Sequence, residues 1–177
     1  MKHIIISEGA MSSGEAANIV YSNVTFVNLL LEEDMPWEQI HPDALASYYL
    51  DYYDSQYRNG NFSQFVYNSG WDADVNSIIE KGLEQIKAPL HLQLFREQVA
   101  VTNSLTRQQL EQFLDGGYFG ENPLRNMLKN DRFFQLQEDI SELNAAWLIN
   151  HPDIKVLSID GMYEEAEKLV GRMIERD

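Results

Sequence analysis

Apolar residues recur at helical spacing along most of this chain, in segments that open on a capping side chain or a proline and close on glycine or proline. A chain built this way buries its apolar surface by packing helix on helix. The first long segment runs from Gly14 to Glu33, with Ser12 or Ser13 as its cap. At about 100° per residue, Ala16, Ile19, Val20, Val24, Phe26, Val27, Leu30 and Leu31 share one half of its wheel. Asn18, Tyr21, Ser22, Thr25, Asn28 and Glu32 share the other. Pro36 stops this helix, and Trp37–Ile40 forms one short turn. His41-Pro42-Asp43 opens a second helix that runs to Asn59 and stops at Gly60.

Asn61 to Asn68 reads as a short aromatic helix closed by Gly70. Asp72 or Asp74 caps the next, to Lys87, with Val75, Ile78, Ile79, Leu83 and Ile86 inward. Pro89 begins another, to Ser104. Thr106 with Gln109 fits a capping box for a helix ending at Gly116-Gly117. Pro123–Lys129 is a short helix, and Asp131 caps a long one from Arg132 to Asn150, with Phe133, Leu136, Ile140, Leu143 and Trp147 inward. Lys155–Ile159 is a candidate strand to pair with His3–Ile6. Met162–Arg176 is a closing amphipathic helix that buries Met162, Ala166, Leu169, Val170 and Met173. The expected fold is a single compact all-α domain over 1–177, with at most one minor two-stranded β element from the termini.

Charge narrows the function more than the fold does. The 177 residues hold 28 acids against 13 bases, a net of -15. Residues 1–80 hold 12 acids and only Lys2 and Arg58 as bases, a net of -10. Such a chain is repelled by nucleic acid and by anionic membrane, so neither is an expected partner. The absence of cysteine removes disulfides, thiolate metal sites and a cysteine nucleophile, and agrees with a cytoplasmic setting. No apolar run approaches the roughly 18 residues of a membrane span.

Catalytic signatures are missing or broken. There is no phosphate-binding loop, no HExxH and no GxSxG. Asp72-Ala73-Asp74-Val75-Asn76 begins like a calcium loop, but Ser77 replaces the turn glycine and Leu83 the bidentate glutamate. The four histidines at 3, 41, 91 and 151 show no ligand spacing, and the two His-Pro-Asp tripeptides at 41–43 and 151–153 read as helix punctuation. No enzyme activity, metal or cofactor is expected. The tyrosines 48, 49, 52, 53 and 57 have no bases among them to hold phosphate, so they read as core packing.

The second helix carries one feature that points outward. Asp43, Asp51 and Asp54 fall within about 80° of one another on its wheel, with no base beside them before Arg58. Glu32, Glu33, Asp34 and Glu38 gather at the end of the first helix, and Asp72, Asp74 and Glu80 continue the acidic set. Carboxylates one helical turn apart lie about 5–6 Å from each other, near the spacing of phosphates along a duplex strand, about 3.4 Å per nucleotide measured along the axis. Acids held stiffly at that spacing attract a cationic protein with steered, salt-sensitive association.

His41-Pro42-Asp43-Ala44-Leu45, Tyr49-Leu50-Asp51-Tyr52-Tyr53 and then Asn59-Gly60-Asn61-Phe62-Ser63-Gln64-Phe65-Val66-Tyr67-Asn68, with the later stretch from Asn130-Asp131-Arg132-Phe133-Phe134 to His151-Pro152, resemble a family of acidic bacterial DNA-mimic proteins of the nineteen-kilodalton type. The resemblance spans about residues 37–153, with 13–34 and 161–176 as additions. It departs at Asn61, where the family usually has a second glycine. It implies an all-helical homodimer whose carboxylates imitate DNA phosphates and occupy the DNA-binding face of a helix-turn-helix transcription factor. It also implies a structural role for Asn59, Gly60, Phe62, Gln64, Phe65 and Asn68: Phe62, Phe65 and Tyr67 plug the core while Asn59 and Gln64 tie the turn. An immunity-type module that neutralises a basic toxin would use the same acidic surface and is the alternative.

Overall fold

A computed structural model of the chain describes residues 1–176. The protein is all-α with one two-stranded parallel β element. It divides into two compact units: Met1–Asp51 with the chain from Ile140 onward, and Tyr52–Asp139. No helix of the described residues is long and apolar enough to cross a membrane.

In the first unit, β1 (Ile4–Ser7) pairs in parallel with β2 (Ile154–Leu157), Ile4 opposite Ile154 and Ser7 opposite Leu157. All of Ile4, Ile5 and Ile6 are buried, which explains an unbroken apolar run where a half-exposed strand would alternate. The first helix then departs from expectation. Ser7 caps a short helix, α1 (Glu8–Ser13), its Oγ accepting the Ala10 amide at 3.1 Å. Gly14, left-handed at φ 67, ends it. Helix α2 (Ala16–Glu32) starts only after Glu15, so Ser12 and Ser13 close one helix and do not cap the next.

Helix α2 buries Ile19, Val20, Phe26, Val27 and Leu30 as its wheel predicts, but also Ser22 and Asn23. The Ser22 hydroxyl accepts the Ser7 amide at 2.8 Å, and Asn23 Nδ2 donates to the Ala44 carbonyl at 2.9 Å. These bonds carry Ser22, which the wheel puts on the solvated side, into the interior. A 3-10 turn, Trp37–Gln39, follows, and then α3 (Pro42–Ser69), within which the two units divide after Asp51.

The expected long helix 132–150 is two elements. Asn130, not Asp131, caps a 3-10 turn over Asp131–Gln135, Leu136 is extended with ψ 144, and α8 (Ile140–Ile149) starts afresh. Phe133 is buried as expected, while Leu136, Leu143 and Trp147 are only half-buried. The last helix, α9 (Ile159–Val170), begins three residues earlier than predicted, because Ser158 Oγ accepts the Gly161 amide at 3.1 Å. It ends at Gly171, left-handed at φ 75, so Met173, expected inside, is 78% exposed.

The second unit packs the rest of α3 with α4 (Ala73–Gln85), α5 (Pro89–Asn103), α6 (Arg107–Asp115) and α7 (Pro123–Leu128). Asp72 caps α4, and Thr106 with Gln109 forms the predicted box on α6. The centre is aromatic. Tyr53 meets Phe65 and Phe95 edge-on at 5.4 and 5.3 Å, and Tyr57 stacks on Phe133 at 4.0 Å. Each such pair adds about 0.5–1.5 kcal/mol beyond the area it buries.

The break before α8 has a use in this unit. Glu138 lies in it, and its carboxylate accepts the amides of Leu90 and His91 at 3.0 Å each. Helix α5 has no cap of its own, since Ala88 holds that position. An anion on the N-terminal amides satisfies them and interacts favourably with the positive end of the helix dipole.

Candidate functional site

In the unit made of residues 1–51 and the chain from Ile140 onward, 16 acids face five bases, a net of -11; the other unit holds 12 acids and eight bases, a net of -4. The excess of charge is therefore mostly in the first unit, and its ion pairs are few. Lys155 meets Glu165 at 2.9 Å, Arg172 meets Glu33 at 2.8 Å, and Arg176 reaches Asp160 and Glu167 at 3.5 Å.

The end of α2 gathers several exposed acids. Glu32, Asp34 and Glu38 are exposed, while Glu33 is half-buried against Arg172. Glu32 lies in the last turn of α2, Glu33 is its cap residue, and no base sits in that turn. A helix C-terminus carries partial negative charge, so each acid there costs about 0.3–1 kcal/mol. Asp34 is left-handed at φ 61, a place that glycine or asparagine fills more easily, and from there the Met35 amide returns to the Leu30 carbonyl at 3.0 Å. Glu38 accepts Trp37 Nε1 at 2.7 Å, which orients its carboxylate. The Tyr48 phenol is pushed above its ordinary value, by burial first and then by the carboxylates of Asp51 and Glu32, so both anions bear on one ring.

The stripe on α3 is not an open row. Asp43, Asp51 and Asp54 are all half-buried, and all have partners. Asp43 Oδ2 sits 2.9 Å from His151 Nε2, and Asp54 Oδ2 takes Arg58 Nε at 2.6 Å. In the second unit Asp72 and Asp74 are exposed, but Asp72 Oδ1 holds the amides of Asp74 and Val75 as a helix cap. Glu80 is paired with Arg96 at 2.7 Å. Such exposed pairs are worth at most about 1 kcal/mol, but each removes an anion from a decoy surface.

The Asn-Gly-Asn-Phe turn pivots on a different residue from the one expected. Gly60 (φ -157) and Asn61 (φ 69, ψ -175) break α3. Asn61 Oδ1 accepts the amides of Phe62 at 2.8 Å and Asn130 at 2.7 Å, and its Nδ2 donates to Asp131 at 2.8 Å. Asn59, expected to tie the turn, is exposed. Gln64 and Asn68 both donate to Gln56 Oε1, at 3.0 and 2.6 Å. Phe62 and Phe65 are fully buried, and Tyr67, half-buried, donates to the Gly116 carbonyl at 2.9 Å.

One arrangement escaped the sequence. The two His-Pro-Asp tripeptides form a reciprocal pair in the first unit. Each aspartate amide donates to its own histidine Nδ1 at 3.2 Å, Asp43 to His41 and Asp153 to His151. Each histidine Nε2 then faces the other tripeptide's carboxylate, His41 to Asp153 at 3.4 Å and His151 to Asp43 at 2.9 Å. The repetition of the tripeptide was the only signal for it. Among the described residues no group of three or more His, Cys, Asp or Glu is placed to hold a metal ion.

Residues 38–151 match the model of a known family, the DMP19-like proteins. The chain belongs to that family of DNA mimics. Comparison with curated proteins and with solved structures returns no match. The matched stretch contains the Asn-Gly-Asn turn, Glu38 and the α3 acids, and leaves Glu32, Glu33 and Asp34 outside it.

Proposed function

We propose that this protein presents exposed carboxylates as a decoy for DNA, occupies the DNA-binding surface of a helix-turn-helix transcriptional regulator, and so blocks its binding to DNA, with no catalytic step. Membership of the DNA-mimic family supports the class of function. The observation that carries the choice of surface is the excess of -11 in one unit, with Glu32, Asp34 and Glu38 exposed together at the end of α2 and its connection to α3. Asp43, Asp51, Asp54 and Glu80 are already engaged and contribute field more than contact. Asp72 and Asp74 form a second, smaller acidic point in the other unit.

The test is capture from a host lysate with the full chain as bait, at low and high salt. Recovery of a helix-turn-helix regulator that is released by salt, and lost with Glu32→Gln/Asp34→Asn/Glu38→Gln, is the expected result. Recovery of a basic nuclease or other toxin in its place would turn the reading to an immunity role. Capture of a regulator unaffected by the triple variant would move the contact surface elsewhere.

A further inference from the structure

The second unit reverses the chain's charge at one place. A cavity of about 400 Å³ opens beside the Asn-Gly-Asn turn, lined by Arg58, Arg125, Lys129, Tyr118, Phe119 and Phe134 among others. Three cations thus meet there in a chain of net -15. The one carboxylate in the lining, Asp131, has its Oδ1 taken by Asn61 Nδ2 at 2.8 Å. Arg58 is spent on Asp54 at 2.6 Å, but among the described residues Arg125 and Lys129 form no ion pair with a carboxylate. Arg125 donates to the Tyr118 carbonyl at 2.9 Å and lies 5.7 Å from the Tyr118 ring centre. Its Nε is buried without a hydrogen-bond partner among the described residues.

The mouth of the cavity is aromatic and open. Phe119 is 88% exposed and Phe134 53% exposed. Large apolar rings bared beside unpaired cations are poor surface for a soluble fold but suit a ligand that is flat at one end and anionic at the other. The volume lies within the range of small-molecule sites, about 300–1,000 Å³. We propose that this cavity binds a small anion carried on a flat ring, a nucleoside monophosphate or an aromatic carboxylate. The anion meets Arg125 and Lys129, and the ring lies against Phe119 and Phe134. The lining residues all belong to the second unit and include none of Glu32, Asp34 and Glu38.

The test is titration calorimetry on the full chain with adenosine 5′-monophosphate and indole-3-acetate as probes, and adenosine, indole and inorganic phosphate as fragments. At least one probe should bind saturably and roughly tenfold or more tighter than its own fragments, a difference of about 1.4 kcal/mol. Which probe binds decides whether phosphate or carboxylate is the anion. Phe119→Ala and Lys129→Ala, both at exposed positions, should each weaken that binding about fivefold or more with an unchanged melting temperature. No saturable binding of either probe up to about 10 mM, fragments binding as tightly as the probe, or binding indifferent to both variants would each overturn the proposal.

Discussion

Replacing Asn61 separates two terms that the native turn superimposes. Its φ of 69 and ψ of -175 lie in a region that glycine alone occupies comfortably. Holding a residue with a Cβ there costs about 1–3 kcal/mol. Against that cost stand two amides, Phe62 and Asn130, that both donate to Asn61 Oδ1. Asn61→Ala keeps the strained backbone and orphans both donors. The Phe62 amide is buried and loses its partner outright, while the half-buried Asn130 amide recovers some of its loss from water. At about 1–3 kcal/mol for a fully buried donor, the sum is about 2–4 kcal/mol, or roughly 5–15 °C in melting temperature for a chain of this size. Asn61→Gly loses the same bonds but relieves the strain, less about 0.5–1 kcal/mol for the greater freedom of glycine in the unfolded chain. It should therefore melt above Asn61→Ala by about 1–2 kcal/mol. Thermal unfolding followed by circular dichroism, with amide exchange at Phe62 as the local readout, gives the order. Should the glycine variant melt at or below the alanine one, the strain argument fails; an alanine variant as stable as the native chain would show that the two bonds carry nothing.

Three further outcomes follow from single side chains. Tyr53 is fully buried and its hydroxyl has no partner, so Tyr53→Phe should leave stability unchanged or raise it by about 1 kcal/mol in denaturant unfolding. Burial, then Tyr57 and Asp54, push the Tyr53 phenol well above its ordinary value. A raised folded value gives stability that is complete below the unfolded value, about 10, and is lost as pH climbs toward the folded one; the variant should lose less on that climb. Glu138→Ala should uncap α5 at a cost of about 1–3 kcal/mol, read as faster exchange at the Leu90 and His91 amides before the rest of the unit opens. The Glu165 carboxyl is held below its ordinary value, chiefly by its hydrogen bond from Lys155. The stability this gives is present above the unfolded value, about 4.3, and is lost as pH falls through the folded one. Lys155→Met should raise the Glu165 titration seen by NMR, and its stability difference from the native chain should vanish at the acid end.

Much of the fold was legible because helix ends announce themselves locally. Pro42, Pro89, Pro123, Gly60, Gly70 and the Thr106–Gln109 box all mark the ends that the structure shows. What misled were ends fixed from far away in sequence. Nothing near Leu136 says that residues 136–139 must leave the helix, because the reason is Glu138 reaching the amides of α5. Ser22 looks solvated on its wheel until β1 supplies the Ser7 amide. The acidic set was legible as composition and not as surface. A wheel puts Arg58 one turn on from Asp54, where the two pair at 2.6 Å, but it cannot show that His151 meets Asp43 across 108 residues.

Two of the acids that survive this sorting are ones the local structure would rather not have. Glu32 opposes the dipole of α2, and Asp34 sits at a left-handed position better served by glycine. A residue that breaks a local rule without a visible compensation is where function is expected to show. Asp34→Gly removes both the strain and a charge at the helix end, so it should raise the melting temperature by about 1 kcal/mol equivalent. If the decoy reading holds, the same change weakens capture of the basic partner, most strongly at low salt. Stability and binding then move in opposite directions at a single position. Asp72 is the control: it caps α4, so Asp72→Ala should cost about 1 kcal/mol of stability and move stability and capture the same way if it touches the partner at all. A purely structural acid at position 34 would gain stability on replacement and leave capture where it was.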